Sequence, residues 1–215
     1  MIMKLLILFS ILLTLCSCEV NAQKSSTQEN NEVEQALVST LDTALYQSRL
    51  EDKITQLQDY LKKNTKYNQK LAVLIDMKKP SQYKRFYVVN MDSLTVISSG
   101  LVAHGSGSET IKKDSLQFSN TPNSYMTSLG KYKIGVSYVG NFGKSYKLHG
   151  LEPSNSKAFE RFVVLHPYGC VPDHEQLEPI CHSLGCPMLS ELYFKDFDKI
   201  ISSQINKNIV LEIFY

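Results

Sequence analysis

The chain changes texture three times along its length, and each texture predicts a different structure. Residues Leu5–Leu15 are apolar except for Ser10 and Thr14. Residues 23–31, QKSSTQENN, are polar with no periodicity and read as a tether. From Glu32 to Lys63, Val33, Leu37, Leu41, Leu45, Leu50, Ile54, Leu57 and Leu61 recur at three-to-five spacing without Pro or Gly. That spacing predicts one or two amphipathic helices packed on the domain behind them, with a break near Ser48 where the stripe slips. After Asn64 the runs become short and rich in Val, Ile and aromatics. They comprise LAVLID (71–76), RFYVVNM (85–91), LTVISSGLVAH (94–104), KYKIGVSY (131–138), SYKLHGL (145–151), RFVVLH (161–166) and NIVLEIFY (208–215). One further helix is predicted over 191–205, where Leu192, Phe197, Ile200, Ile201 and Ile205 share a face behind Ser190 as N-cap. Many strands with few helices predict a mostly β barrel or sandwich, not a parallel α/β sheet.

Composition narrows this only slightly. Twenty-three Lys+Arg against 21 Asp+Glu give a formal charge of +2, no electrostatic footprint for nucleic acid. The apolar run near the start is too short to span a bilayer and has the length of a secretory core. Residues 1–18 therefore read as an export signal. LCSC (15–18) resembles a bacterial lipobox that would make Cys18 the lipidated first residue. Cleavage after Ala22 is the alternative. Export places the remaining cysteines where disulfides form.

Chemistry concentrates in 166–187, HPYGCVPDHEQLEPICHSLGCP, which holds three of the five cysteines and three of the five histidines. Three readings stay open. Cys186 sits in a Gly-Pro punctuated turn ahead of a helix, where a thiol projects and backbone N–H groups converge as an oxyanion site. Such a thiol needs a base, and His166, ending an apolar strand, is placed to be one. Alternatively Cys170, His174, Cys181, His182 and Cys186 form a zinc site, although no pair has the tight C-x2-C spacing. Or Cys170 and Cys181 form a structural disulfide, which is compatible with catalysis because it leaves Cys186 alone.

HSLGCP resembles the turn of the YkuD-like L,D-transpeptidases of bacterial peptidoglycan, closest to the murein subfamily whose turn continues Gly-Cys-Pro. IDMKKPSQYKRFYVVNMDS (75–93), LVAHGSGS (101–108), FSNTPNSYMTSLGKYKIG (118–135) and YKLHGLEPSNSKAFERFVVLH (146–166) are similar to that subfamily as well. The resemblance implies a mostly β catalytic domain over 67–215, preceded by a signal (1–18), a tether (19–31) and a helical segment (32–66). It implies Cys186 as nucleophile and His166 as base, with Gly185, Ser183, Leu184 and the Cys186 N–H shaping the oxyanion turn. The implied reaction is attack on the third residue of a tetrapeptide stem, release of D-Ala, and transfer of the acyl group to an amine or water. Peptidoglycan stem peptides would be the partners, at the cell envelope, with anchoring through Cys18 and no metal or organic cofactor.

Three departures bear on that expectation. Pro167 replaces the usual Gly after the first His, and Pro has no N–H to donate. His182 replaces a common Arg. Leu184 and Met188 stand where the wider family often has His and Arg; the Gly-Cys-Pro subfamily generally lacks both, which places the chain with that subfamily. His104, Tyr146, His149, Arg161 and His182 are the candidates for lining a substrate cleft. A Cys181–Cys186 bridge, which would silence the enzyme, ranks below the 170–181 bridge.

Overall fold

The computed structural model describes residues 40–112 and 115–215. The expected signal, the tether and Cys18 lie outside the described residues. The chain divides into two compact units at Arg49/Leu50. Of the first, residues 40–49 are described and are helical. Helix α1 covers 40–63 without interruption, so the break expected near Ser48 is absent. The slip in the stripe marks a change in burial instead. Leu41 and Leu45 are exposed, whereas Leu50, Ile54, Leu57 and Leu61 are buried.

The second unit is built on eight strands: β1 (Leu71–Asp76), β2 (Phe86–Asn90), β3 (Thr95–Gly100), β4 (Gly130–Gly140), β5 (Gly143–Gly150), β6 (Val164–Pro167), β7 (Met188–Leu189) and β8 (Val210–Phe214). They form one sheet in the order β3-β2-β1-β8-β4-β5-β6-β7. Pairing is antiparallel except β1 with β8 and β6 with β7. The central strand β1 is buried at all six positions because it is covered on both faces. Successive side chains point to opposite faces. Thus Leu71, Val73 and Ile75 join one core with Phe194, Phe197 and Ile201 of helix α2 (Glu191–Ser202). Ala72 and Leu74 join the other with Leu50, Ile54, Leu57 and Leu61 of α1. Buried Glu212 of β8 fastens α1 to the sheet, pairing with Lys53 at 3.2 Å and Lys131 at 3.5 Å.

Helix α2 begins where its sequence specifies, since the Tyr193 N–H donates to Ser190 Oγ at 3.1 Å. It stops at Ser202, short of Ile205, whose side chain is exposed. Strand β6 starts only at Val164, because residues 156–162 before it run in turns that end at Phe162 with φ of 54°.

The two ends of the sheet are joined. After β3 the chain passes along β7, where the Ala103 N–H donates to Met188 O at 2.9 Å. Gly105 then bridges Ser183 in parallel register. This seam gives the sheet a barrel-like closure and brings residues 103–106 against the cysteine turn.

Candidate active site

The turn at 183–187 is shaped by close backbone approach. Ser183 donates its N–H to His104 O at 2.8 Å and accepts the Ser106 N–H at 2.8 Å. Gly185 has φ of 115°, and a Cβ there would lie 3.0 Å from Met126 O and 3.4 Å from Arg161 Nη2. A side chain at this position would be strained and crowded at once, which accounts for the glycine. Gly105 is held by contact alone: its Cβ would fall 2.1 Å from Tyr125 O and 2.8 Å from Gly185 Cα.

Cys186 is the free thiol among the described residues. Its Sγ accepts the Val164 N–H at 3.4 Å and donates to Phe162 O at 3.7 Å. Phe162 is 83% exposed and holds φ at 54°, a sparsely populated conformation that costs energy and aims its carbonyl at the thiol. Burial pushes the Cys186 thiol up, while the Val164 N–H and the Arg161 guanidinium pull it back. Two atoms missed by sequence reasoning, the Val164 amide and the Phe162 carbonyl, thus surround the sulfur.

His166 lies on the same strand as Val164, two residues on, so both side chains face one way. Its Nδ1 is 3.0 Å from Pro167 O, and a carbonyl only accepts, so Nδ1 carries the proton and Nε2 is bare. Pro167 therefore serves as an acceptor, a role the imide leaves intact. The missing N–H is of no consequence at this contact. Phe142, at the tip of the β4–β5 hairpin, stacks on the imidazole at 4.1 Å. Burial pushes the His166 ring down in pKa, which favours the neutral imidazole. In this resting arrangement no hydrogen bond joins the imidazole to the thiol.

The remaining candidates separate. Ser183 Oγ accepts the Gly185 N–H at 3.0 Å, so that amide is engaged within the turn and Gly185 bears on the site through its backbone shape. The Cys186 N–H has no acceptor among the described residues and remains available. Leu184 is 73% exposed beside it. Arg161 spends its guanidinium on Ser119 O, Met126 O and the Ser124 and Ser128 hydroxyls. It ties the 119–128 loop beneath Gly185 and is not free to take a substrate carboxylate. Tyr146 packs on Phe194 and Phe197 and bonds Asp198, which places it against α2, where it lines a cavity of about 380 Å³ that takes in no residue of the cysteine turn. His149 stacks on Phe159 with Lys133 and Lys147 nearby, without contact to the turn.

His104 is buried, at the edge of a small cavity of about 90 Å³ that Arg85 and Glu109 also line and that Cys186 does not. Arg85 donates to its Nδ1 at 2.7 Å, so Nε2 carries the hydrogen and donates to Glu109 Oε1 at 2.6 Å. His182 Nε2 meets the same oxygen at 3.0 Å. The grouping of His104, Glu109 and His182 has the donor types of a metal site. A metal on His104 Nε2 would have to displace a proton that the Arg85 contact keeps there, so the residues fit a hydrogen-bonded ladder better than a cation. The zinc reading of the cysteines fails on donors too, because Cys170 and Cys181 are joined in a disulfide with Cα atoms 6.1 Å apart.

Two stability predictions follow from these contacts. Burial, with Arg85 next, pushes His104 from 6.5 down to about 4. As pH falls the unfolded chain therefore takes up this proton first. The contribution is complete above about pH 6.5 and fades toward pH 4, a loss of roughly 2–3 kcal/mol. Urea unfolding at pH 7 and pH 4.5 measures it, and His104→Asn should flatten the dependence. Reduction of the disulfide, whose cysteines are 11 positions apart, should cost about 2–3 kcal/mol. Melting with and without a phosphine reductant checks this, and an unchanged midpoint would show the loop is held by packing alone.

A cleft of about 410 Å³ opens beside His166. Phe142, Pro167, Tyr168 and Phe194 form its apolar walls, and Lys144, Glu191 and Lys195 are charged groups on its lining. Among the described residues no helix is long and apolar enough to cross a membrane.

Comparison with known proteins gives a family. The model of the L,D-transpeptidase catalytic domain family matches residues 41–213. Similar solved structures include an L,D-transpeptidase from Xylanimonas cellulosilytica (14% identity, TM-score 0.39, covering 67% of this chain and 60% of that one). The helical cell shape determining protein Pgp2 of Campylobacter jejuni is similar at 12% identity and TM-score 0.45 (66% and 46%). An L,D-transpeptidase from Mycobacterium tuberculosis is similar at 12% identity and TM-score 0.37 (68% and 58%). The chain thus spans about 60% or less of these relatives. No curated protein is a significant match.

Proposed function

Because the chain belongs to the L,D-transpeptidase catalytic domain family, we propose that it is a cysteine-dependent peptidoglycan L,D-transpeptidase or L,D-carboxypeptidase. The observation that carries the proposal is the free Cys186 thiol on the Gly185 turn, near a strand-end histidine with a bare Nε2. Cys186 attacks the carbonyl of the third residue of a tetrapeptide stem. His166 Nε2 takes the thiol proton and passes it to the departing D-Ala amine, leaving a thioester. The Cys186 N–H is the amide that faces the developing oxyanion. An amine or water then resolves the thioester.

Burial raises the thiol and lowers the imidazole, so the resting pair is neutral and the proton moves with the attack. The thiol leaves Phe162 O for the imidazole when substrate enters, in keeping with the loose geometry common to unliganded sites. The expected setting is the cell envelope, after export, with Cys18 as a lipid attachment point. The test is intact-mass analysis after incubation with a carbapenem. One adduct per chain, mapped to Cys186, is expected; folded protein without an adduct would overturn the proposal.

A further inference from the structure

The cysteine turn has two limbs, and they are held differently. The limb after Cys186 runs into β7, where Met188 and Leu189 pair with His166 and Pro167 of β6. The limb before it, residues 181–183, lies outside the strands, yet all three residues are fastened. Cys181 is joined to Cys170, and both backbone groups of Ser183 bond to the 104–106 segment. Between them His182 donates through Nε2 to Glu109 Oε1 at 3.0 Å, its ring 5.0 Å from that of His104. The same oxygen accepts from His104, and His104 accepts from Arg85. Arg85 is buried and fixed by Val102 O and Lys79 O. A run of side chains thus leads from a guanidinium locked in the core to the residue four positions before Cys186.

Cys181 and Ser183 fix two points of this limb, and a limb held at two points can still rotate about the line between them. The His182 side chain, reaching sideways to Glu109, supplies the third point and stops that rotation. Rotation matters because the Cys186 N–H is the amide left to face an oxyanion, and such a donor works only when aimed. We infer that Glu109 and His182 are positioning residues: with His104 and Arg85 behind them, they fix the angle at which the turn presents the Cys186 N–H. The assignment rests on the thioester reading above, and in this role neither side chain touches the reacting atoms. Both residues are open to water, with side chains 48% and 36% exposed, so their contact adds little to folding stability. Its loss therefore separates aim from folding.

Two reagents that meet the same sulfur provide the test. Iodoacetamide alkylates Cys186 by displacing iodide and builds no oxyanion, whereas a carbapenem acylates it through one. His182→Ala and Glu109→Ala should each slow carbapenem acylation by about tenfold, less than the roughly 10²-fold or more of losing an oxyanion donor outright. Alkylation should change by less than about twofold, and the urea midpoint should hold. The double variant should be no slower than either single one, because both remove one contact. His182→Gln keeps an N–H donor and Glu109→Gln keeps an acceptor oxygen, so each should recover most of the rate. Acylation at the wild-type rate in both Ala variants would remove the positioning role and keep the thioester reading. A loss confined to His182→Ala would make His182 a substrate contact and overturn the role, as would acylation and alkylation falling together. Wild-type protein that is alkylated at Cys186 and never acylated would remove the thioester reading itself, and the aim of the N–H with it.

Discussion

On the proposed mechanism, Cys186→Ala should release no D-Ala from tetrapeptide stems and take up no carbapenem, a loss of at least about 10³-fold in turnover. The reason is chemical before it is structural. The disulfide withdraws Cys170 and Cys181, so the described domain has no second thiolate to substitute. His166 alone has no covalent route that splits the reaction into two easier steps. The fold should survive, since the substitution removes one sulfur atom and leaves Gly185 and Pro187 in place. What is lost is a weak acceptor for the Val164 N–H and a weak donor to Phe162 O, together worth about 1 kcal/mol. Muropeptide profiles of tetrapeptide-rich sacculi, treated with wild type or variant, read the outcome. Equal profiles with the tetrapeptide consumed in both would take the nucleophile away from Cys186.

Gly105→Ala should be nearly as damaging, although residue 105 carries no functional group. Its new Cβ would lie 2.1 Å from Tyr125 O, 2.8 Å from Gly185 Cα and 2.9 Å from Gly185 N. All three obstacles are backbone atoms, so no rotamer change relieves them. Either the 124–126 loop or the cysteine turn must move, at a cost of about 2–4 kcal/mol. A shift of the turn by about 1 Å would also cost on the order of 10²-fold in reactivity. Urea unfolding and the rate of carbapenem acylation measure the two effects. A variant that keeps both wild-type stability and rate would show that the contact between residues 105 and 185 is dispensable.

What the sequence made legible was whatever side chains announce. The alternating runs predicted the strands, Ser190 predicted the start of α2, and the turn at Gly185-Cys186-Pro187 pointed to a thiol. The setting of that thiol was hidden, because backbone groups make it. The Val164 amide, the Phe162 carbonyl and the Pro167 carbonyl would be present whatever residues stood there, so no residue pattern reveals them. Histidine and arginine misled for a related reason. His104 and Arg161 have the chemistry of substrate contacts, and in the fold their polar atoms are consumed internally by Arg85 and Glu109 and by the 119–128 loop. The helix break near Ser48 was inferred from a shift in the stripe, yet a continuous helix shows the same shift when only part of it is buried.

The seam between residues 103–106 and 183–188 also sets an order of events during folding. Its partners are far apart in the chain, so closing it carries a large loop entropy and depends on the intervening strands being in place. The central strands can assemble earlier, through the nearer pairing of β1 with β2 and β4 with β5. The pairing of β1 with β8 spans more of the chain than the seam does, so these local hairpins, and not the whole sheet, precede the cysteine turn. Locally, the seam is also the part whose opening would release Cys186 without unfolding the rest, and the amides of Ala103, Ser106 and Ser183 should exchange hydrogen together as one cooperative unit. The position of Cys186 is thus set by contacts that are remote from it in sequence.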